Sequence, residues 1–321
     1  MIKRKRLAQL LGLELAFVLL WNSGFIAAEY GLPNTGAWTL LFWRYLALST
    51  ILGVWLIVRG RPRWPGLRTA GQMGVVGVLA HGVWLACVLV PVEMGVPVGI
   101  VALVTALQPL MTGAFAGPVL GERTSRWQWI GLLLGFAGVA VAVGARLSAD
   151  AASASLGYLI PFGSVVGITI ASLLQRKWAR EETGPTQKAS TSRSEPGTAS
   201  LSTVLFYQSA ATTVALLLPA WLAEDFATTW TAPFVGAMAW LVLGVSLGAY
   251  ACMWALLARQ DATRVASLFY LSPPVTMLMA WLAFDDQLIS TDVVGLVVAA
   301  AGVGLVYGRN AQRSTTSPVR T

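Results

Sequence analysis

The sequence predicts an all-α integral membrane protein: ten transmembrane helices in two inverted-topology repeats of five. Three observations predict it, namely a composition too apolar for water, a segment that occurs twice, and a regular alternation of loop charge. Of 321 residues, 56% are hydrophobic and 11% are charged, against about 25% charged in an ordinary soluble domain. No soluble core hides that much apolar surface. Residues 97–144 lie on residues 261–308 without a gap, Pro109 on Pro273, Thr112 on Thr276, Glu122 on Asp286, Gly131 on Gly295 and Gly138 on Gly302. About a quarter of these positions are identical, and most others exchange one small or apolar residue for another.

Ten apolar runs approach the ~20 residues needed to cross a bilayer. They cover 7–28, 37–58, 70–92, 96–119, 127–145, 156–176, 201–222, 232–257, 263–284 and 291–308. The run beginning near Val75 is too long for one helix, and the Pro91 to Pro97 stretch, with Glu93 and Gly95, supplies the turn that divides it. The first run lacks a small-residue cleavage site and reads as a retained span. Loop charge tests the count. Lys3 to Arg6, Arg59 to Arg68, Arg123 with Arg126, Arg176 to Arg193, Arg259, and Arg309 to Arg320 fall in alternate loops. The intervening loops hold Glu29, Glu93, Asp150, Glu224, Asp225, Asp285 and Asp286, with Arg146 their one basic residue. That pattern puts both termini in the cytoplasm. A five-span unit crosses an odd number of times, so its second copy enters from the opposite face. The basic loop after span 4 and the acidic loop after span 9 have the opposite bias that such an inversion requires. The chain divides into a first repeat (1–150), a second repeat (151–310) and a tail (311–321). The polar stretch 179–200 reads as a disordered cytoplasmic linker.

Polar groups at membrane depth are costly and need a reason. Glu14 in span 1 is either a protonatable coupling site or a carboxylate reaching back to Arg6 or to headgroup water. Arg44 in span 2 either recognises a carboxylate or phosphate, which its planar fork suits, or pairs structurally with a helix end or Glu29. The repeat sets Gln208 opposite it. His81, the only histidine, either handles protons or bonds a neighbouring carbonyl. Gln108 and Ser272 each precede a mid-span proline, Pro109 and Pro273. A proline there removes a backbone bond. Such breaks are tolerated in a membrane where they line a cavity or pack on protein. Asn22 lies deep in span 1, and Trp21, Trp84, Trp254, Tyr250 and Tyr270 are deep aromatics that either wall a pocket or face lipid and core. Trp38, Trp64, Trp127, Trp129, Trp178, Trp221 and Trp230 sit at span ends as interfacial anchors. Spans 5 and 10, with Gly131, Gly135, Gly138, Gly295 and Gly302, are assigned to close helix packing.

No phosphate loop, metal-ligand cluster or hydrolase constellation is present in the sequence, so neither cofactor nor metal is expected. The net charge of +8 lies in short loops, which argues against nucleic acid. Cys87 and Cys252 lie inside apolar runs and indicate no disulfide.

The Leu20-Trp21-Asn22-Ser23-Gly24-Phe25 stretch, the approach from Pro33 to Arg44, and the series Pro109, Gly121-Glu122-Arg123, Gly131 and Gly138 resemble the EamA family of the drug/metabolite transporter superfamily. The likeness covers residues 10–308. The second copy departs from it in Asp285-Asp286-Gln287 and the doubled Pro273-Pro274. The resemblance implies ten helices in two inverted repeats, a central cavity lined by spans 1–4 and 6–9, and export of amino acids, related metabolites or drugs. Small multidrug-resistance relatives couple through a first-helix carboxylate. Trp21 holds that place here, so their mechanism does not carry over. The expected function is a secondary or facilitative carrier in the cell membrane, moving a small solute, with a proton or counter-solute as a possible partner. Trp21, Asn22, Arg44, Trp84, Gln108, Tyr250, Trp254, Tyr270 and Ser272 are its candidate pocket. Broad drug efflux is the alternative within carriers; a membrane enzyme or passive channel is the alternative outside them.

Overall fold

The computed structural model describes residues 2–60, 65–121, 126–149, 156–183, 200–260, 265, 268–286 and 289–301. The chain is helical throughout these residues, apart from short turns and an isolated bridge between Thr35 and Thr228. Helix is what an apolar chain must adopt in lipid, where backbone N–H and C=O groups find partners only within the segment. In order, the helices are α1 (Ile2–Gly31), α2 (Ala37–Val58), α3 (Leu67–Glu93), α4 (Val98–Leu120), α5 (Arg126–Ala149), α6 (Ile160–Thr183), α7 (Leu201–Glu224), α8 (Ala232–Leu257), α9 (Phe269–Phe284) and α10 (Ser290–Ala301).

Among the described residues, six helical stretches are long and apolar enough to cross a membrane: Gln9–Asn34, Ala37–Val58, Leu67–Glu93, Val98–Leu120, Leu201–Glu224 and Ala232–Leu257. Trp129–Ala145, Phe269–Phe284 and Ser290–Ala301 are shorter apolar helices. The protein is therefore a multi-pass, all-helical membrane protein. The division between α3 and α4 falls at the expected turn, where Gly95 takes a positive φ of 87°, a conformation open to glycine at little steric cost. α6 departs from expectation at both ends: it starts four residues late, after a turn, and continues through Arg176, Lys177 and Arg180 to Thr183. Part of the stretch read as linker is thus helix, since Ala179 and the residues after it carry no breaker before Gly184. The rest of that linker (184–199), the Glu122-Arg123 turn, and the 302–321 tail with Gly302 lie outside the described residues.

α2 runs along α7, α3 packs on α7 and α6, and α1 lies against α8 and α9. The first half of α4 is the centre of the core: Val101, Ala102, Leu103 and Val104 are wholly buried. Glycine sets the closest approaches. A Cβ on Gly77 would collide with the Gln208 backbone where α3 crosses α7. On Gly138 it would collide with the backbone of Gly295, and on Gly295 with that of Gly138, so α5 and α10 touch main chain to main chain. Gly138 and Gly295 serve packing, as their spacing predicts.

Two local departures from α geometry position the site. α4 is interrupted at Ala106 and Leu107 and restarts at Gln108-Pro109. α9 opens with a 3₁₀ turn, Phe269–Leu271, and restarts at Ser272-Pro273. The breaks fall at aligned positions of the two copies. α3 and α8 also carry π-helical segments, Val78–Val83 and Trp240–Ala249. Extending the repeat register places the first inside the second, so these too recur. Such one-turn widenings are frequent at functional sites.

Candidate functional site

Two adjoining cavities lie in the middle of the bundle, sharing Trp21, Phe25 and Trp84 as a common wall. The larger, of about 330 Å³, is built on the two helix breaks: Gln108 and Pro109 come from α4, Ser272 and Phe269 from α9. Thr112 of α4 and Ser172 and Arg176 of α6 complete its polar lining. Arg176 is exposed near the end of α6, and the cavity opens at that end of the molecule. The smaller hollow, of about 40 Å³, lies deeper and holds Arg44, Tyr45, His81 and Tyr250 behind the same two tryptophans. Trp21 touches nearly everything here, with ring centroids 6.1 Å from Trp84, 5.7 Å from Tyr250 and 5.0 Å, edge-on, from Phe269.

Arg44 is 6% exposed. Its Nε and Nη2 donate to Ser246 Oγ at 3.2 and 3.0 Å, and Ser246 Oγ donates in turn to the Leu241 carbonyl at 2.9 Å. That bond spans five residues, the π-helical interval of α8, so the widened turn aims the serine at the guanidinium. Arg44 also lies 5.7 Å from the centroid of the Tyr45 ring. Among the described residues no carboxylate pairs with it. A buried cation held by a hydroxyl retains most of its attraction for an anion, because a neutral partner leaves the desolvation of the charge uncompensated. Of the alternatives weighed for Arg44, the pairing with Glu29 is not formed. His81 Nε2 lies 3.3 Å from Gln208 Oε1, and its ring is 5.5 Å from Tyr45 and 6.2 Å from Tyr250. Gln208, the repeat counterpart of Arg44, thus partners His81.

Of the sequence-predicted residues, Trp21, Trp84, Gln108, Ser272 and Pro109 line the larger cavity, and Arg44, Tyr250 and His81 the smaller, where Trp21 and Trp84 recur. The others stand apart. Asn22 is buried in a structural pair: its Nδ2 donates to Val18 O at 2.7 Å, and Thr276 Oγ1 donates to its Oδ1 at 2.9 Å. Trp254 packs on the core with its ring 6.1 Å from Tyr250, and neither it nor Tyr270 is among the residues lining these cavities. Pro273 is buried behind Ser272. Glu14 accepts a hydrogen bond from Gln260 Nε2 at 2.9 Å, near the end of α8, away from both cavities. Sequence reasoning did not single out Ser246, Arg176, Phe269 or Thr112 for the site. The alignment of Thr112 with Thr276 was the one available signal, and it joins a lining residue to a packing residue.

The opposite end of the bundle is shut. Glu224, at the end of α7, accepts from the backbone N–H groups of Trp38 (3.1 Å) and Thr39 (2.7 Å), and Glu93, at the end of α3, accepts from that of Ala37 (3.1 Å). Two carboxylates thus cap the start of α2, whose N-cap is a glycine without a side chain to do so. Gly36 leaves room for this: a Cβ there would run into the Glu224 carboxylate. The turn before α8 lies over the α1–α2 turn. Thr35 Oγ1 donates to Ala227 O at 2.8 Å, Thr229 N to Asn34 O at 2.8 Å and Trp43 Nε1 to Thr228 Oγ1 at 3.1 Å. Phe42, Trp43, Phe226, Trp230 and Phe234 form a continuous set of ring contacts beneath it.

Comparison with known proteins agrees with this architecture. A family model described as the EamA-like transporter family matches residues 9–144 and 191–308. An "Uncharacterized inner membrane transporter YedA" of Escherichia coli is 31% identical over 135 residues, which are 42% of this chain and 44% of that protein, so the match spans less than half the relative's length. A "Probable amino-acid metabolite efflux pump" of Salmonella typhimurium is 23% identical over 94% of this chain and 96% of its own length. A "Probable terminal-alkyne amino-acid exporter" of Streptantibioticus cattleyicolor is 28% identical over 93% and 94%. A solved crystal structure superposes with a TM-score of 0.61 at 19% identity, covering 97% of this chain and 99% of that one, which shows a shared fold. The family is one of transporters rather than enzymes. The chain belongs to the EamA-like transporter family.

Proposed function

We propose that the protein is a cell-membrane carrier that exports small metabolites of the amino-acid class by alternating access around the paired cavities. The observation that carries this reading is the larger cavity, built on two helix breaks at aligned positions of two copies of one segment. Discontinuous helices meeting at mid-membrane between inverted repeats are the usual arrangement of a secondary carrier's site. On this reading the ten helices form two five-helix units of opposite orientation, with both termini cytoplasmic. The cavity mouth at Arg176 then faces the cytoplasm, and the end closed by Glu224 and Glu93 faces outward. The solute enters past Arg176, rests against Trp21 and Trp84, and presents its charged group to Arg44. The names borne by the Salmonella and Streptantibioticus relatives support the solute class.

The test is counterflow in proteoliposomes loaded with a mixture of unlabelled amino acids and their derivatives. A carrier transiently accumulates labelled solute above its outside concentration, driven by outflow of the unlabelled solute, and its flux saturates. Flux that rises linearly with gradient and shows no counterflow would mean a channel instead.

A further inference from the structure

The two cavities are one-sided in charge. Their charged side chains are Arg44 and Arg176, and among the described residues no aspartate or glutamate lines either one. Glu14, in span 1 two helical turns before Trp21, is engaged with Gln260 instead. At the bottom of the path stands Arg44, buried, bonded to a serine hydroxyl and without a carboxylate.

The neutral groups point the same way. Thr105, Thr112 and Ser172 already donate their hydroxyl protons, to Ala102 O, Thr169 Oγ1 and Ile168 O. Their oxygens are left to accept an uncharged N–H or O–H from a solute. An ammonium would find these oxygens and the faces of Trp21 and Trp84, but no carboxylate among the described lining residues, and it would face the buried Arg44. Desolvating a full positive charge there is unfavourable.

We propose that the preferred solute is a net organic anion: one carboxylate for Arg44, an apolar or aromatic body for the tryptophan wall, and a nitrogen, where present, that bears no charge, as in an N-acylated amino acid. This rests on the carrier reading above and narrows it. Hydrophobic cations are disfavoured on the same ground. Arg44 is the group that binds the anion.

One carbon skeleton carrying three charges tests this. Counterflow is measured with N-acetylphenylalanine (anion), phenylalanine (zwitterion) and phenethylamine (cation) in proteoliposomes of the full chain. Saturable counterflow should favour the anion over the zwitterion by about tenfold or more in apparent affinity, with the amine not carried. Arg44→Gln should erase the preference, whereas Arg44→Lys, which keeps the charge, should preserve the order. Thermal unfolding of each purified variant reports whether it is folded. Equal or better counterflow of phenylalanine or phenethylamine would overturn the assignment and leave the carrier reading intact. Counterflow of none of the three would overturn both.

Discussion

The two ends of the bundle are built differently. At the α1–α2 end, three backbone N–H groups of one helix are capped by two carboxylates from other helices, and a turn lies over its neighbour through several hydrogen bonds and a sheet of aromatic rings. At the α6 end the contacts among the described residues include solvent-exposed ones. Arg68 lies 3.6 Å from Glu181, both well exposed, and Arg180 Nη1 reaches the Leu120 carbonyl at 3.0 Å. The cavity opens at this second end and stops short of the first. On the proposed carrier reading, the end sealed by charge-assisted bonds and packed rings is the closed gate, and the end where the cavity opens is the other. The closed end also carries two of the three positive-φ residues other than glycine among the described residues, Asp225 at 48° and Phe226 at 51°. Such backbone persists only where its surroundings over-determine it, which suits a turn that packs in one state and must release in another.

Substitutions can break this contrast. The largest effect belongs to Glu224→Ala, which strips both charge-assisted caps from Trp38 and Thr39 at once. Bonds to charged acceptors contribute about 1.5–3 kcal/mol each, so a clear fall in thermal midpoint is expected, together with faster labelling of a cysteine placed at Thr228. A variant as stable as the parent, with Thr228 still protected, would mean the closed end is held elsewhere. Next comes Ser246→Ala, which removes the acceptor that orients Arg44. Apparent affinity for an anionic solute should weaken by several-fold, with a stability loss of about 1.5–3 kcal/mol as the buried guanidinium loses its acceptor. A stability loss with unchanged affinity would make Ser246 a packing residue only. The smallest effect is expected at the open end. Arg68→Ala removes an exposed ion pair of the kind worth about 0–1 kcal/mol, so unfolding should barely move. A loss as large as that of Glu224→Ala would erase the distinction between the ends.

Much of this architecture is legible in the sequence because the bilayer leaves a chain few choices. The apolar runs lie close to the helices, and Pro109 and Pro273 mark where two of them break, since a missing N–H has consequences that no tertiary context removes. Gly138 and Gly295 could be assigned to packing because glycine at that spacing has one evident use between helices. What stayed hidden depends on rotation about a helix axis and on contacts between distant segments. Ser246 was one serine among many until a π-helical turn pointed it at Arg44. Nothing in Asn22 or Thr276 alone shows that they satisfy each other, although they lie 254 residues apart. Glu224 and Glu93 read as loop charges that orient the chain, and they lie together at one end of the bundle. Their bonds to the start of α2 follow from Gly36, whose bare backbone admits a neighbour's carboxylate in place of a cap of its own.

The central claim is that two oppositely inserted copies of one five-helix unit meet at the cavity, so that equivalent turns lie on opposite faces of the membrane. Labelling decides it most directly. Single cysteines at Arg126, after α4, and at Asp285, after α9, are introduced with Cys87 and Cys252 replaced by serine, and treated in intact cells with a membrane-impermeant thiol reagent. The account predicts that the Asp285 position reacts from outside, while the Arg126 position reacts only after the membrane is opened. Reaction of both from the same side would contradict it.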